Sequence, residues 1–261
     1  MGQPELRSIG PLEDAFLRVN RASQHLANLK RRVKMYVDAQ QDAMVVRAEG
    51  MTAQTTFPEE PPPRFLGILI GETIQGLRTA LDYLVYGLAW FDSGPEVKRK
   101  TQFPIEDRPE SFKGRQNTFL KGVSAKHVAA IERLQPYNGG SWLADIRELS
   151  NLDKHNILVV AAGATGTSVI AVGLSDEEAE SLGGFRKAGD DVGMYYKLPM
   201  VVTFPGGAPV IQVLELFTTE TRSLLQAFEP EFEGWQDKAM PLRKTTHTQV
   251  VGPLPELSPP G

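Results

Sequence analysis

Residues 64–91, RFLGILIGETIQGLRTALDYLVYGLAWF, constrain the chain more than any other stretch. They form its longest strongly apolar run, yet Arg78 and Asp82 sit near the middle, one helical turn apart. Leu66, Ile70, Leu77, Leu81, Leu84 and Leu88 recur at helical spacing, which puts them on one face and makes that face core. Glu72, Gln75, Thr79, Asp82 and Tyr86 follow the same period on the opposite side. Gly67, Gly71, Arg78, Val85 and Ala89 fall between, an edge of mostly small residues that lets a second element come close and draws Arg78 into a helix contact. The run is about long enough to invite a membrane reading, since spans need roughly 18 to 20 apolar residues. Glu72, Arg78 and Asp82 would be costly at bilayer depth, and no basic flank accompanies them. The expectation is a buried helix in a soluble, cytoplasmic protein with no membrane partner.

The rest of the chain supplies what this helix packs against. Leu12, Phe16, Val19, Ser23, Leu26, Leu29, Val33 and Tyr36 alternate in steps of three and four, predicting a long first helix with a coiled-coil-like seam and making a homodimer an open expectation. Lys30, Arg31, Arg32 and Lys34 form a basic knot on it, read as a solvated helix end because no aromatic residues are interleaved in the sequence to stack on bases. Residues 43–49 and 51–57 predict a hairpin about Gly50, and PEEPPPR from Pro58 a rigid link. Residues 92–118 read as a loop, with the fragment at 101–105 pinned to the body by Phe103 and Ile105. Ser124 caps a helix that stops at Pro136, and His127 on it reads as a lone surface residue. A further helix over GGSWLADIRELSNLDKH carries Trp142, Ile146 and Leu149 on one stripe that ends in Asp153. Residues 157–162, 168–172, 193–204 and 210–217 read as strands, 175–182 as a short acidic helix and 218–232 as the last helix.

The fold class expected is α+β. A helical core, comprising the long N-terminal helix, the central buried helix and two further helices, is joined to an antiparallel β-sheet and a C-terminal helix. One domain covers 1–236, with residues 10–158 mainly helical apart from the hairpin and 157–236 carrying the sheet and final helix; 237–261 reads as a disordered tail. At 261 residues with 41% hydrophobic content the chain can bury a sizeable core, and its net charge of -4 argues against wrapping duplex DNA. The chain has no cysteine, which excludes disulfides, thiolate zinc sites, iron–sulfur clusters and cysteine nucleophiles. With four scattered histidines and no metal-binding helix motif, neither a metal nor a cofactor is expected.

One polar cluster remains. Arg78 and Asp82 on the central helix face Asn151, Asp153, Lys154 and His155 at the end of the later one. Asp153 turns toward the core, where an unpaired carboxylate is costly, so a cationic partner is expected, with Arg78 the best placed. Either these residues register two helices, or His155 acts as acid or base beside Arg78 as a phosphate or carboxylate binder.

The combination of GETIQGLRTALDYLVYGLA, TQFPI, LQPY and LSNLDKHN, spread over about residues 63–158, resembles a family of uncharacterised actinobacterial proteins whose central helix reads approximately GDALHNLRSALDHL and whose later helix reads LSNxDKHR. The arginine and the histidine five positions on in that family are similar to the signature of HEPN ribonucleases, helical proteins that dimerise and cleave RNA. That resemblance implies phosphate binding by Arg78. Its histidine position is Tyr83, Gln75 and Gly76 replace the upstream His and Asn, and Asn156 replaces the final Arg, while Asn151, Asp153, Lys154 and His155 match. The leading expectation is a noncatalytic interaction or ligand-binding module with an unidentified ligand or protein partner. The alternative is a metal-independent ribonuclease or phosphoester-cleaving enzyme in which Arg78 binds phosphate and His155 moves the proton.

Overall fold

The computed structural model describes residues 12–43, 45–49, 52–56, 60–94, 100–155, 160–164, 169–182, 185–187, 194–197 and 199–234. The expectations for the tail at 237–261, for Asn156 and for the side chain of His155 lie outside them.

The first helix, α1, spans Glu13–Asp42 and buries Val19, Leu26, Leu29 and Val33 of the seam read from the sequence. Ala15 and Ala22 lie in the core where Phe16 and Ser23 were expected, and Phe16, Ser23 and Tyr36 are only half-buried. The hairpin follows as β1 (Val45–Glu49) and β2 (Thr52–Thr56), paired antiparallel from Val45 opposite Thr56 to Glu49 opposite Thr52. Helix α2, Phe65–Ser93, is the axis of the molecule. Leu66, Ile70, Ile74, Leu77, Leu81, Leu84 and Leu88 on it are wholly shielded from solvent, each burial contributing roughly 1.5–3 kcal/mol. It ends at Gly94, whose φ of 81° suits a residue without a Cβ.

Helices α1 and α2 run antiparallel, with Arg18 meeting Tyr83 and Arg32 meeting Phe65 at opposite ends. Gly76 makes the approach between them close: a Cβ there would lie 3.2 Å from that of Ala22. A third long helix, residues 210–228, completes the bundle against α1, where Lys30 pairs with Glu215 and Arg222 donates to Asn20 at 2.8 Å. Between these come α3 (Pro109–Phe119), α4 (Ala125–Arg133), a 3₁₀ turn at Pro136–Asn138, α5 (Ser141–His155) and α6 (Asp176–Leu182), so that 210–228 is α7. Ser124 caps α4 as expected, accepting from the His127 amide. Trp142 at the start of α5 tilts against Phe217 of α7, ring centroids 6.5 Å apart.

The remaining strands form two small antiparallel sheets. In one, β3 (Ala161–Ala164) pairs with β7 (Met200–Thr203); in the other, β6 (Met194–Lys197) lies between β4 (Val169–Val172) and β5 (Arg186–Lys187). Tyr196 and Arg186 tie this second sheet to the C-terminal end of α1, through the Gln41 carbonyl and the Asp42 carboxylate respectively. The α+β class, with a helical core, is the architecture found.

Two assignments change. Residues 109–119, read as part of a long loop, are α3: Pro109 opens the helix, but Phe112 is its only buried side chain, so there is no periodic stripe to detect. Residues 210–217, read as a strand, are the first two turns of α7. Val210, Leu214, Phe217, Thr221, Leu224, Leu225 and Phe228 form one buried helical face, whose period shows only when the window runs past Thr218.

Candidate functional site

The polar residues of α2 converge on a backbone segment rather than on an open cleft. Arg78, 8% exposed, donates through Nη1 to Asp82 Oδ1 at 2.8 Å and through Nη2 to the Phe103 carbonyl at 2.6 Å. The same Asp82 oxygen accepts the Phe103 amide at 2.8 Å. Both backbone polar groups of one residue, the N–H and the C=O of Phe103, are thus held by side chains one helical turn apart on α2. Next along the segment, the Gln135 side chain, wholly buried, accepts from the Glu106 amide at 2.9 Å and donates to the Pro104 carbonyl at 3.0 Å. Arg147 of α5 donates to the Ile105 carbonyl at 3.1 Å and pairs with Asp107 at 2.9 Å. Residues 103–106 therefore form a strap whose buried backbone groups are satisfied by side chains instead of a sheet partner. Phe103 and Ile105 anchor it by burial, as the sequence predicts.

Electrostatics follow from this enclosure. Burial pushes the Asp82 carboxyl above the usual aspartate range, opposed by the attraction of Arg78, by the Phe103 amide and by Lys154 of α5. Burial likewise lowers Arg78, opposed by Asp82. Desolvation outweighs the mutual attraction, the usual balance for an ion pair withdrawn from water.

The expected pair between Arg78 and Asp153 is corrected. Arg78 takes its acid from its own helix, four residues on, while Asp153 accepts from Gln75 Nε2 at 3.3 Å. Gln75 also donates to the Ser150 carbonyl at 3.0 Å, which places the end of α5 along the first half of α2. Asp153 lies over Gly71, where an added Cβ would come within 2.1 Å of its Oδ1. The carboxylate is only partly buried and rests against bare helix backbone, so no buried cation is required. Lys154 is near enough to act on Asp82, and Asn151 is exposed. Of the residues singled out, Arg78, Asp82 and Lys154 share one electrostatic neighbourhood; Asp153 belongs to an adjoining helix contact.

A second cluster escaped the sequence reading altogether. His127, read as a surface residue, is 4% exposed. Its Nδ1 lies 2.8 Å from Asp92 of α2 and its Nε2 3.2 Å from Glu231, in the 3₁₀ turn Glu229–Phe232 that follows α7. Asp92 also accepts the Ser124 amide at 2.7 Å, and Lys126 pairs with Glu231. Nothing near His127 in sequence announces this, since its partners lie 35 and 104 residues away. Gln135 was likewise missed as a functional group, although it sits in the LQPY fragment.

No family model, curated protein or solved structure matches the chain. Among the described residues no helix is long and apolar enough to cross a membrane, and no group of three or more His, Asp or Glu side chains is arranged to hold a metal ion.

Proposed function

We propose that this protein is a noncatalytic interaction module, acting in the cytoplasm by presenting helical surfaces to a partner. The observation that carries the reading is the occupancy of Arg78. A phosphate-binding arginine needs free donors aimed at open space, whereas this guanidinium is nearly enclosed and holds the Asp82 carboxylate and the Phe103 carbonyl. The fragments with the family resemblance fit the same view. Arg78 and Asp82, TQFPI through Phe103 and Pro104, and LQPY through Gln135 are all spent on positioning the strap, which is work a scaffold requires. Tyr83, at the position where the ribonuclease signature has histidine, is bound by Arg18 of α1.

The experiment is incubation of the purified chain with structured and single-stranded RNA beside the His155→Ala variant. Equal background cleavage from both is expected. RNA cleavage that disappears in the variant would sink the noncatalytic reading and restore the enzyme.

A further inference from the structure

The exposed side of the α1–α2 pair combines cations and apolar groups in a way neither helix shows alone. At helical geometry, residues 18, 21, 25 and 32 of α1 fall within about 60° of one another, so Arg18, Arg21, His25 and Arg32 form one stripe. Arg18 lies over the ring of exposed-edge Tyr83, 5.3 Å from its centroid, and Arg32 over Phe65 at 5.7 Å. Arg21 is bound to the neutral side chain of Gln24. None of these three arginines meets a carboxylate among the described residues, whereas Lys30 and Lys34 of the same helix are neutralised by Glu215 and Asp38. The basic knot seen in the sequence therefore divides: its lysines are occupied and Arg32 joins a stripe with aromatic neighbours from α2.

Large apolar side chains flank that stripe at both ends. Phe65, Ile68 and Met35 are 43%, 61% and 61% exposed at one end; Leu17 and Tyr86, at 56% and 42%, stand at the other. From Leu17 to Met35 the stripe runs about 27 Å, the length of a helix of about eighteen residues.

We propose that this face receives an acidic amphipathic helix from a protein partner. Its apolar side would rest on Leu17 and Tyr86 at one end and on Met35, Phe65 and Ile68 at the other, and its carboxylates would meet the forks of Arg18, Arg21 and Arg32. Charge selects this occupant. The chain as a whole is acidic, at -4, yet this stripe carries three arginines that meet no carboxylate among the described residues. A nucleic-acid backbone is disfavoured because the exposed aliphatic side chains of Leu17, Met35 and Ile68 at the two ends offer nothing to phosphate. The inference rests on the interaction-module reading and names the partner's chemistry.

The probe is a fluorescein-labelled designed helix of about twenty residues with Leu at heptad positions a and d and Glu at e and g. Its anisotropy should rise saturably with added protein, and the Arg21→Glu/Arg32→Glu variant should bind at least about tenfold more weakly, with an unchanged circular dichroism spectrum. Replacing the peptide's Glu by Lys should abolish binding. Absent binding, equal binding by the variant, displacement by oligouridylate, or self-association of the protein lost in the variant would overturn the proposal, the last two by assigning the face to nucleic acid or to a second copy. RNA cleavage dependent on His155 would refute the module reading itself, whereas a silent peptide without cleavage refutes only this occupant.

Discussion

Asp82 and Asp92, ten residues apart on α2, perform the same task with different partners. Each carboxylate oxygen accepts one backbone amide from a following segment, Phe103 or Ser124, and one cationic or titratable side chain, Arg78 or His127. In the first arrangement both side chains come from a single helix, one turn apart, and the cation is a guanidinium. The second reaches across to α4 and on to Glu231, and its central group is an imidazole that carries both contacts as a donor only when doubly protonated. The difference teaches that a buried acid stabilises a loop in proportion to what is stranded when the acid is lost. Removing Asp82 strands the Arg78 guanidinium; removing Asp92 leaves His127 its contact with Glu231.

The largest expected effect tests that directly. Asp82→Ala should cost about 3–5 kcal/mol in urea unfolding, as for a buried ion pair deprived of one member. Asp92→Ala should cost about 1–3 kcal/mol, the desolvation of an unpaired amide and a weakened contact. Equal losses would break the comparison.

A smaller effect sharpens it with Asp153, an acid that meets no cation among the described residues. Gly71→Ala forces a Cβ into Asp153 and should cost about 1–3 kcal/mol through overpacking. A gain of up to about 1 kcal/mol in helix propensity partly offsets this. Adding Asp153→Ala should recover most of the loss, because here the carboxylate is an obstacle rather than a counter-charge. Additive losses in the double variant would show that Asp153 is held by more than Gln75.

The smallest effect is in pH dependence. Because burial raises the Asp82 carboxyl, the folded chain keeps that proton to higher pH than the unfolded chain, whose aspartates release theirs near about 3.9. The stability contributed by this group is complete below that value and is lost as pH rises through the folded-state value. Urea midpoints of the wild type relative to Asp82→Asn should therefore fall with rising pH across that window and then level off. A difference that grows in favour of the wild type would mean that the pull of Arg78 outweighs burial.

These contrasts also explain what could be read from the sequence. The seam of α2 and most of that of α1 were legible because apolar residues at helical spacing encode their own burial. On α5 the buried face is Leu143, Ile146 and Ser150, so the stripe drawn through Trp142 and Leu149 met it only at Ile146. Arg78 and Asp82 were legible as a pair because a spacing of four is local. The pairing proposed for Asp153 failed because sequence gives the direction of a side chain but not its depth: Gly71 leaves room for the carboxylate to stay partly wet. Helix α3 had too little buried surface to leave a pattern, and the β-branched start of α7 imitated a strand. His127 was illegible for a different reason, since its environment is assembled from three segments distant along the chain. The basic stripe on α1 could be judged only with α2 beside it, because its aromatic neighbours come from another helix.

The spacing of the two clamps also sets an order of assembly. Asp82 and Phe103 close a loop of 21 residues, whereas His127 and Glu231 close one of 104. On chain entropy alone the longer closure costs about 1.4 kcal/mol more. During synthesis the strap can lock once Phe103 has emerged, while the histidine must wait for nearly the whole bundle to be translated. An arrested nascent chain ending shortly after α5 would carry the first fastening complete and the second still without its last carboxylate.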